Sequence, residues 1–338
     1  MERFGDVTLA KVRDSADLRR LLPASLTGSE TVIVKPNWFS PHPANFTDAH
    51  ALGLLLGALD GKIIVIEGYT LEKHDGSMKF TVDGSEVDWR WVIENPDWGW
   101  IREEGRWEEI RRQDEGFLEK HGLRDILREH GAEYVNVTEE VWAGRTVDPG
   151  EVKGRVEERY GPVAEERLYG FMPEALRAHE GAPLVSLGKV KGIGGKFPSL
   201  TLKNLFGLIP DPLRSWWHGP GDARLGESII DIARVYASYF PLFGVCEAFR
   251  EATAMSAEGE VEVEWGRYDV VKDLGFASLG ENLMNLDAVT SAIMGVDPSK
   301  VPYLTLGEAV FGPYDRVQVE KAKAASEDWI PARGKGLA

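Results

Sequence analysis

Two apolar strand-like runs joined by one helical run constrain this chain more than any other feature. Thr31-Val32-Ile33-Val34 is β-branched with no polar break, the pattern of a strand buried on both faces, and Lys35-Pro36-Asn37-Trp38 stops it. After a Pro-rich loop, Thr47 and Asp48 offer a side-chain cap to the apolar run from Ala49 to Leu59. Asp60-Gly61 turns the chain into Lys62-Ile63-Ile64-Val65-Ile66, which ends at Glu67-Gly68. Strand, helix and strand in this order give a parallel pair, because the helix carries the chain back to the same end of the sheet. Open parallel sheets bind ligands beyond the carboxyl ends of their strands. Lys35, Asn37 and Glu67 therefore stand where chemistry is expected. Lys35 can meet a carboxylate, Asn37 can direct a hydrogen bond, and Glu67 can pair with Lys35 or act as a base if desolvated.

The alternation continues downstream. Gly116 to His130 is amphipathic and helical, and Glu133 to Val137 is a short strand. Residues 140–170 read as a peripheral hairpin. Met172 to His179, Gly226 to Tyr239 and Asn282 to Met294 read as helices. Pro183 to Leu187 and Tyr268 to Asp273 read as strands. This order predicts an α/β layered fold around a largely parallel sheet built from strand–helix–strand units. It is one unit over residues 1–338, open to division into two lobes, 1–180 and 181–315, with 316–338 as a C-terminal tail. Residues 69–110 break the rhythm with five of the eleven tryptophans, Trp89, Trp91, Trp98, Trp100 and Trp107. This Trp-rich insertion is either an excursion packed on the body or a lid or partner surface.

Composition removes several classes of function. A net charge of −16 argues against a broad nucleic-acid face. No run approaches the roughly 18 apolar residues of a membrane helix, and Met1-Glu2-Arg3-Phe4-Gly5-Asp6 lacks the layout of a signal peptide. The expectation is a cytoplasmic protein with no membrane or nucleic-acid partner, in which a homo-oligomer is allowed. Cys246 is the single cysteine, so this chain alone cannot hold a thiolate-bound iron–sulfur cluster, and the residue reads as a small core side chain. Two glutamines and seven asparagines beside many Glu and Arg fit a protein from a hot environment.

Against this acidic background, residues 188–218 stand out. Lys189, Lys191, Lys196, Lys203 and Arg214 face one acid, Asp211, which leaves a local charge of +4. Gly192, Gly194 and Gly195 can bring backbone N–H groups close to an anion, and Ser199 or Thr201 can cap the helix that follows. The segment reads as a pocket for a phosphate or carboxylate, with a solvated lysine loop as the plain alternative. Gly192-x-Gly194-Gly195 is not a dinucleotide fingerprint, and neither a phosphate loop nor a Gly-x-Ser-x-Gly elbow occurs. His218 closes the segment after Trp216-Trp217 and suits acid–base chemistry or a stacked structural place equally. His42, His50 and His74 are too scattered for a zinc site, and no metal ligand is assigned.

These residues resemble the domain-of-unknown-function 362 family. Its hallmarks are a strand ending in Lys-Pro-Asn, a Thr-Asp helix start, a Lys-x-Lys segment, and Thr-Leu-x-Leu-Lys-Asn-Leu-Phe-Gly followed by Arg, His and an Asp-containing helix. Here they are Lys35-Pro36-Asn37, Thr47-Asp48, Lys189-Val190-Lys191, Thr201 to Gly207, Arg214, His218 and Asp231, with Asp287-Ala288-Val289 and Met294 to Pro298 further on. Gly192-Ile193 replaces the family's Thr-His, and the Trp-rich insertion is unlike typical members. Some relatives carry iron–sulfur segments, which implies redox work. The Gly192 to Lys196 run with His218 downstream is also similar in architecture to the lactate racemase family, which uses a lysine-linked nickel-pincer cofactor. The histidine that precedes the Gly-rich run in that family has no counterpart here.

The combined reading is an enzyme acting on a small anionic metabolite by proton or electron transfer, as an oxidoreductase, isomerase or racemase. Its cofactor is left open. Lys35, Glu67 and His218 are the candidate catalytic residues. Asn37, Lys189, Lys191, Gly194, Gly195, Lys196, Thr201, Lys203, Asn204 and Arg214 are the candidate substrate-binding residues. The alternative is a non-catalytic binding protein that uses the Trp-rich insertion as its interface.

Overall fold

The computed structural model describes residues 1–75, 80–82, 85–87, 89–94, 104–195, 197–212 and 214–331. In chain order its strands are β1 (Glu2–Phe4), β2 (Val7–Lys11), β3 (Thr31–Lys35), β4 (Lys62–Glu67), β5 (Phe80–Val82), β6 (Ser85–Val87) and β7 (Glu133–Asn136). Then follow β8 (Leu184–Lys189), β9 (Lys191–Ile193), β10 (Leu242–Ala248), β11 (Glu251–Met255), β12 (Val261–Val263), β13 (Gly266–Lys272) and β14 (Phe276–Gly280). Eight of them form one sheet in the order β1-β2-β14-β10-β8-β3-β4-β7. The pairs from β10 through β8, β3 and β4 to β7 are all parallel, and β14, β2 and β1 close the other edge with antiparallel pairs. The molecule is thus mixed α/β around a mostly parallel sheet.

Both faces of that sheet are covered, as its unbroken apolar strands require. Val32, Val34, Ile63 and Val65 join the cluster that includes Leu52, Leu55 and Leu123. Their neighbours Ile33, Ile64 and Ile66 point the other way, into the cluster of Leu205, Ile229 and Leu286. The helix Ala49–Leu56 crosses from β3 to β4 as expected, and the Asp48 side chain accepts from the Ala51 N–H to cap it. A smaller sheet, β12-β13-β11-β9, stands beyond the end of β8, and β5 pairs with β6.

Two segments differ from the pattern-based reading. The helix expected over 116–130 is two helices, Glu104–Lys120 and Leu123–Glu129, because Gly122 adopts a left-handed φ of 68° between them. The peripheral hairpin expected within 140–170 is instead helical, with Pro149–Tyr160 as its main element. Asp148-Pro149-Gly150 looks like turn chemistry, yet Asp148 accepts from the Gly150 and Glu151 N–H groups and Pro149 takes the first helical turn. The stretch from 316 carries the helix Arg316–Trp329, which buries Val319, Ala322 and Trp329. Among the described residues, no helix is long and apolar enough to cross a membrane.

Candidate active site at the carboxyl edge of the sheet

Parallel pairing aligns the strand ends, and those ends carry the charges. Lys35 ends β3, Glu67 ends β4, Asn136 ends β7 and Lys189 ends β8, with Glu247 one residue before the end of β10. The register sets Glu247 opposite Lys189 and Glu67 opposite Asn136. All five are too polar for a core, and each is satisfied by a specific partner.

Lys35 and Glu67 form a buried ion pair at 2.8 Å, 1% and 2% exposed. The Lys35 ammonium also donates to the Pro36 carbonyl at 2.8 Å and to Asn204 Oδ1 at 3.3 Å. Glu67 accepts from the Trp38 and Gly68 N–H groups, both at 3.0 Å. Burial pulls the Lys35 pKa down while Glu67 opposes it. Gly207 sits directly over the pair: a Cβ there would lie 2.5 Å from Lys35 Nζ and 2.6 Å from Glu67 Oε1. The closing Gly of Leu-Lys-Asn-Leu-Phe-Gly is therefore a requirement of close packing.

Asn204 and Asn37 join the strands. Asn204 donates to the Lys35 carbonyl at 2.8 Å and to Ser186 Oγ at 3.0 Å, while its Oδ1 accepts from Asn37 Nδ2 at 3.2 Å. Asn37 Oδ1 in turn accepts from Lys191 Nζ at 2.9 Å. Lys189 pairs with Glu247 at 3.1 Å, both buried, and burial pushes the Glu247 carboxyl up against the pull of Lys189. A parallel arrangement holds Lys73 on Asp114 at 2.8 Å, where Tyr134 and Asn136 also donate to Asp114.

Lys191 and Lys203 are different. Lys191 is 8% exposed and, among the described residues, its ammonium donates to neutral oxygens, Asn37 Oδ1 and the Asn45 carbonyl at 3.0 Å, with the Phe39 ring 5.2 Å away. Lys203, half-buried on the helix Thr201–Leu205, has no hydrogen bond or ion pair among the described residues. Burial first, and the Lys203 charge second, bring the Lys191 pKa down to about 7. Lys203 is lowered by burial, with Asp222 pulling the other way. His218 Nδ1 lies 2.7 Å from Asp222, and its ring meets Phe206 edge-on at 5.2 Å. Burial lowers the His218 pKa, the Asp222 bond opposes this, and the Lys203 charge adds to the lowering. Asp222 has a positive φ of 63°, a strained conformation for a non-glycine residue.

The glycine loop does not offer its amides to an anion. The Gly192 N–H donates to Thr253 Oγ1 at 2.9 Å, that of Gly194 to the Met294 carbonyl at 3.3 Å and that of Gly195 to the Gly192 carbonyl at 2.8 Å. Gly194 and Gly195 thus direct their N–H groups to carbonyls of the protein, and Lys196 lies outside the described residues. Nor do Ser199 or Thr201 cap the following helix. Asp287, from the helix Leu283–Ile293, accepts from the Thr201 N–H at 3.0 Å, Thr201 Oγ1 at 2.5 Å and the Leu202 N–H at 2.9 Å. That helix end is filled by a protein carboxylate. Arg214 donates to the Ile209, Tyr69 and Gly207 carbonyls at 3.0, 3.1 and 2.9 Å, so its guanidinium clamps backbone and reaches the site only through Gly207.

A family model for a domain of unknown function, DUF362, matches residues 32–292, a span that holds every charged group just described. The chain belongs to the DUF362 family. A thylakoid-associated protein of Synechocystis, sll1697, is 24% identical over 128 residues, which make up 37% of this chain and 36% of that protein. The match therefore spans about a third of that relative. No solved structure matches.

In this DUF362 chain the structure also supplies residues that spacing did not reveal. Glu72, just beyond β4, is 2% exposed; Thr70 donates to its Oε2 at 3.0 Å, and its Oε1 has no hydrogen-bond partner among the described residues. Burial raises its pKa to about 8, with Thr70, Arg214 and Lys191 opposing. It lies at the start of the Trp-rich segment, where a single carboxylate among aromatics carries no sequence signal. Trp107 of that segment packs edge-on against Trp142 and donates to Glu139 at 2.7 Å, while Trp98 and Trp100 lie outside the described residues. Asp222 and Glu247 carried no local signal, and Asp287, which the family resemblance had included, gains its role only from Thr201 and Leu202 far away in sequence. Among the described residues, no group of three or more His, Cys, Asp or Glu side chains is placed to hold a metal ion. Cys246 is buried, and burial raises its thiol pKa well above the usual value.

Proposed function

We propose that this protein is an enzyme that holds a small carboxylate- or phosphate-bearing metabolite between Lys191 and Lys203 and acts on it by acid–base chemistry. The observation that carries this reading is that, among the described residues, these two lysines have no carboxylate ion pair, when Lys35, Lys73 and Lys189 each have one. A buried or half-buried ammonium without a counter-ion favours an incoming anion, since desolvation strengthens the attraction. His218, 2.7 Å from Asp222 and under the influence of the Lys203 charge, offers an acid–base group whose Asp orients the imidazole. Lys35, Glu67, Asn37 and Asn204 are the scaffold that fixes Lys191 from below. The two lysines support acid–base chemistry. The reading includes a cytoplasmic location, where small anionic metabolites are abundant.

The test is calorimetric titration with sulfate, inorganic phosphate and a panel of mono- and dicarboxylates. Lys203→Ala removes one charge-assisted contact, worth about 1.5–3 kcal/mol, so affinity should fall roughly 10- to 100-fold with the circular dichroism spectrum unchanged. Unchanged affinity for every anion that binds would refute the assignment. A stable protein complex that survives Lys203→Ala but not Trp98→Ala would favour a binding protein instead.

A further inference from the structure

Trp265 stands where turn chemistry does not call for it. β12 and β13 pair Val263 with Gly266, which leaves Glu264 and Trp265 as the two turn residues. Two-residue turns favour Gly, Asn and Asp for their backbone freedom, and a tryptophan brings none. The side chain is also 39% exposed, so burial does not account for it either. What it touches does. Its ring meets Phe39 at 5.3 Å and His42 at 6.1 Å, both on the loop that leads from β3 to the helix Ala49–Leu56. Phe39 in turn lies 5.2 Å from the Lys191 ammonium. That loop is firmly held. The Asn37 N–H donates to Thr47 Oγ1 at 2.9 Å, Asn45 Nδ2 to Ser40 Oγ at 2.8 Å, and Tyr268 of β13 to the Pro43 carbonyl at 2.8 Å. Ala44 takes a positive φ of 56°, and the next residue, Asn45, turns its carbonyl to Lys191. Lys191 on β9 and the hairpin that carries Trp265 belong to one small sheet, with Phe39 between them. Exposure rises from 8% at Lys191 through half-buried Phe39 to 39% at Trp265. A ligand whose anionic group meets the ammonium and whose body points to solvent therefore runs along these rings.

We propose that Phe39 and Trp265 form an aromatic wall of the anion site, and that its ligand is flat: an aromatic or heteroaromatic carboxylate. This rests on the anion-binding reading above and names the substrate class for it. The Lys191 ammonium meets the carboxylate, and the two rings meet the planar body. Phe39 and Trp265 are tilted by 57° and not stacked on each other, a relation in which a third flat ring can meet both edge to face. Such ring contacts add attraction beyond the area they bury, because the positive edge of one ring faces the negative face of another. A puckered acid of the same size gains the burial and not the ring contact. Trp265 is thus a specificity-determining residue that takes no part in making or breaking bonds.

Calorimetric titration of the full chain with acetate, cyclohexanecarboxylate, benzoate and sulfate tests this. Benzoate should bind the wild type roughly 2- to 10-fold more tightly than cyclohexanecarboxylate, although simple apolar burial favours the saturated ring. Trp265→Ala should abolish that preference, and Trp265→Phe, which keeps a ring, should restore most of it. Benzoate that binds no more tightly than cyclohexanecarboxylate overturns the proposal. So does a Trp265→Ala protein in which all three acids weaken alike, since the indole would then only prop the loop. Either result leaves the anion site standing so long as sulfate binds and Lys203→Ala weakens it. If neither sulfate nor any of the acids binds the wild type, the anion-binding reading falls and this proposal with it.

Discussion

Replacing Gly207 by alanine places one methyl group on the Lys35–Glu67 pair. The new Cβ would lie 2.5 Å from Lys35 Nζ and 2.6 Å from Glu67 Oε1, where ordinary contact begins at 3.4 Å, so both groups must give by nearly 1 Å. A long side chain on the surface would give freely. Here it does not, because Lys35 is tied to Pro36, Asn204 and Glu67, and Glu67 to two backbone N–H groups. Overpacking a core costs about 1–3 kcal/mol, and loosening a buried ion pair approaches the ~3–5 kcal/mol seen when one partner is lost. We expect about 3 kcal/mol in all, read in urea as a lowered midpoint at unchanged slope. Gly154→Ala is the control: this glycine lies inside the helix Pro149–Tyr160 with no atom within 4 Å of its Cβ position, and alanine there should stabilise by roughly 0.5–1 kcal/mol. A Gly207→Ala protein within about 0.5 kcal/mol of wild type, the range of neutral surface changes, would show that the pair is not held as described. Placing Gly207→Ala in a Lys35→Met/Glu67→Leu background checks the cause, since the penalty should shrink by about 1–3 kcal/mol if it arises from the pair.

The remaining predictions concern the lysine cluster and the helix cap. Lys191 titrates near 7 when folded and near 10.4 when unfolded. Between those values the unfolded chain holds a proton that the folded one lacks, so its contribution to stability rises with pH and is lost as pH falls towards 7. The stability difference between wild type and Lys191→Met should therefore climb by up to about 1.4 kcal/mol per pH unit above neutrality, and a flat difference in urea melts across that range would sink the assignment. Asp287→Ala strips two N–H groups and one hydroxyl of their acceptor at a buried helix start, at a cost of about 2–4 kcal/mol. Amide exchange over Thr201–Leu205 should accelerate selectively; uniform acceleration across the chain would argue that Asp287 caps nothing in particular.

Pattern alone determined the framework. The β-branched run at 31–34, the cap at Asp48 and the apolar run at 62–66 are local in sequence, and hydrophobic burial leaves them little choice but a strand–helix–strand unit with its strand ends together. For the same reason Lys35, Glu67 and Lys189 were legible as residues of one edge. The division of labour among them was not. Which lysine has a carboxylate and which has none depends on side chains brought from 32, 58 and 154 positions away, as in Lys35–Glu67, Lys189–Glu247 and Lys191–Asn37. The glycine loop that looked ready for an anion turned its amides inward, and the helix end beside it was filled by Asp287 from 86 residues downstream. Charge spacing along a chain reveals that an edge is polar. Only the folded chain decides which of those charges pair, joining Lys35 with Glu67, Lys73 with Asp114 and Lys189 with Glu247, and leaving Lys191, Lys203 and Glu72 without an ion pair among the described residues.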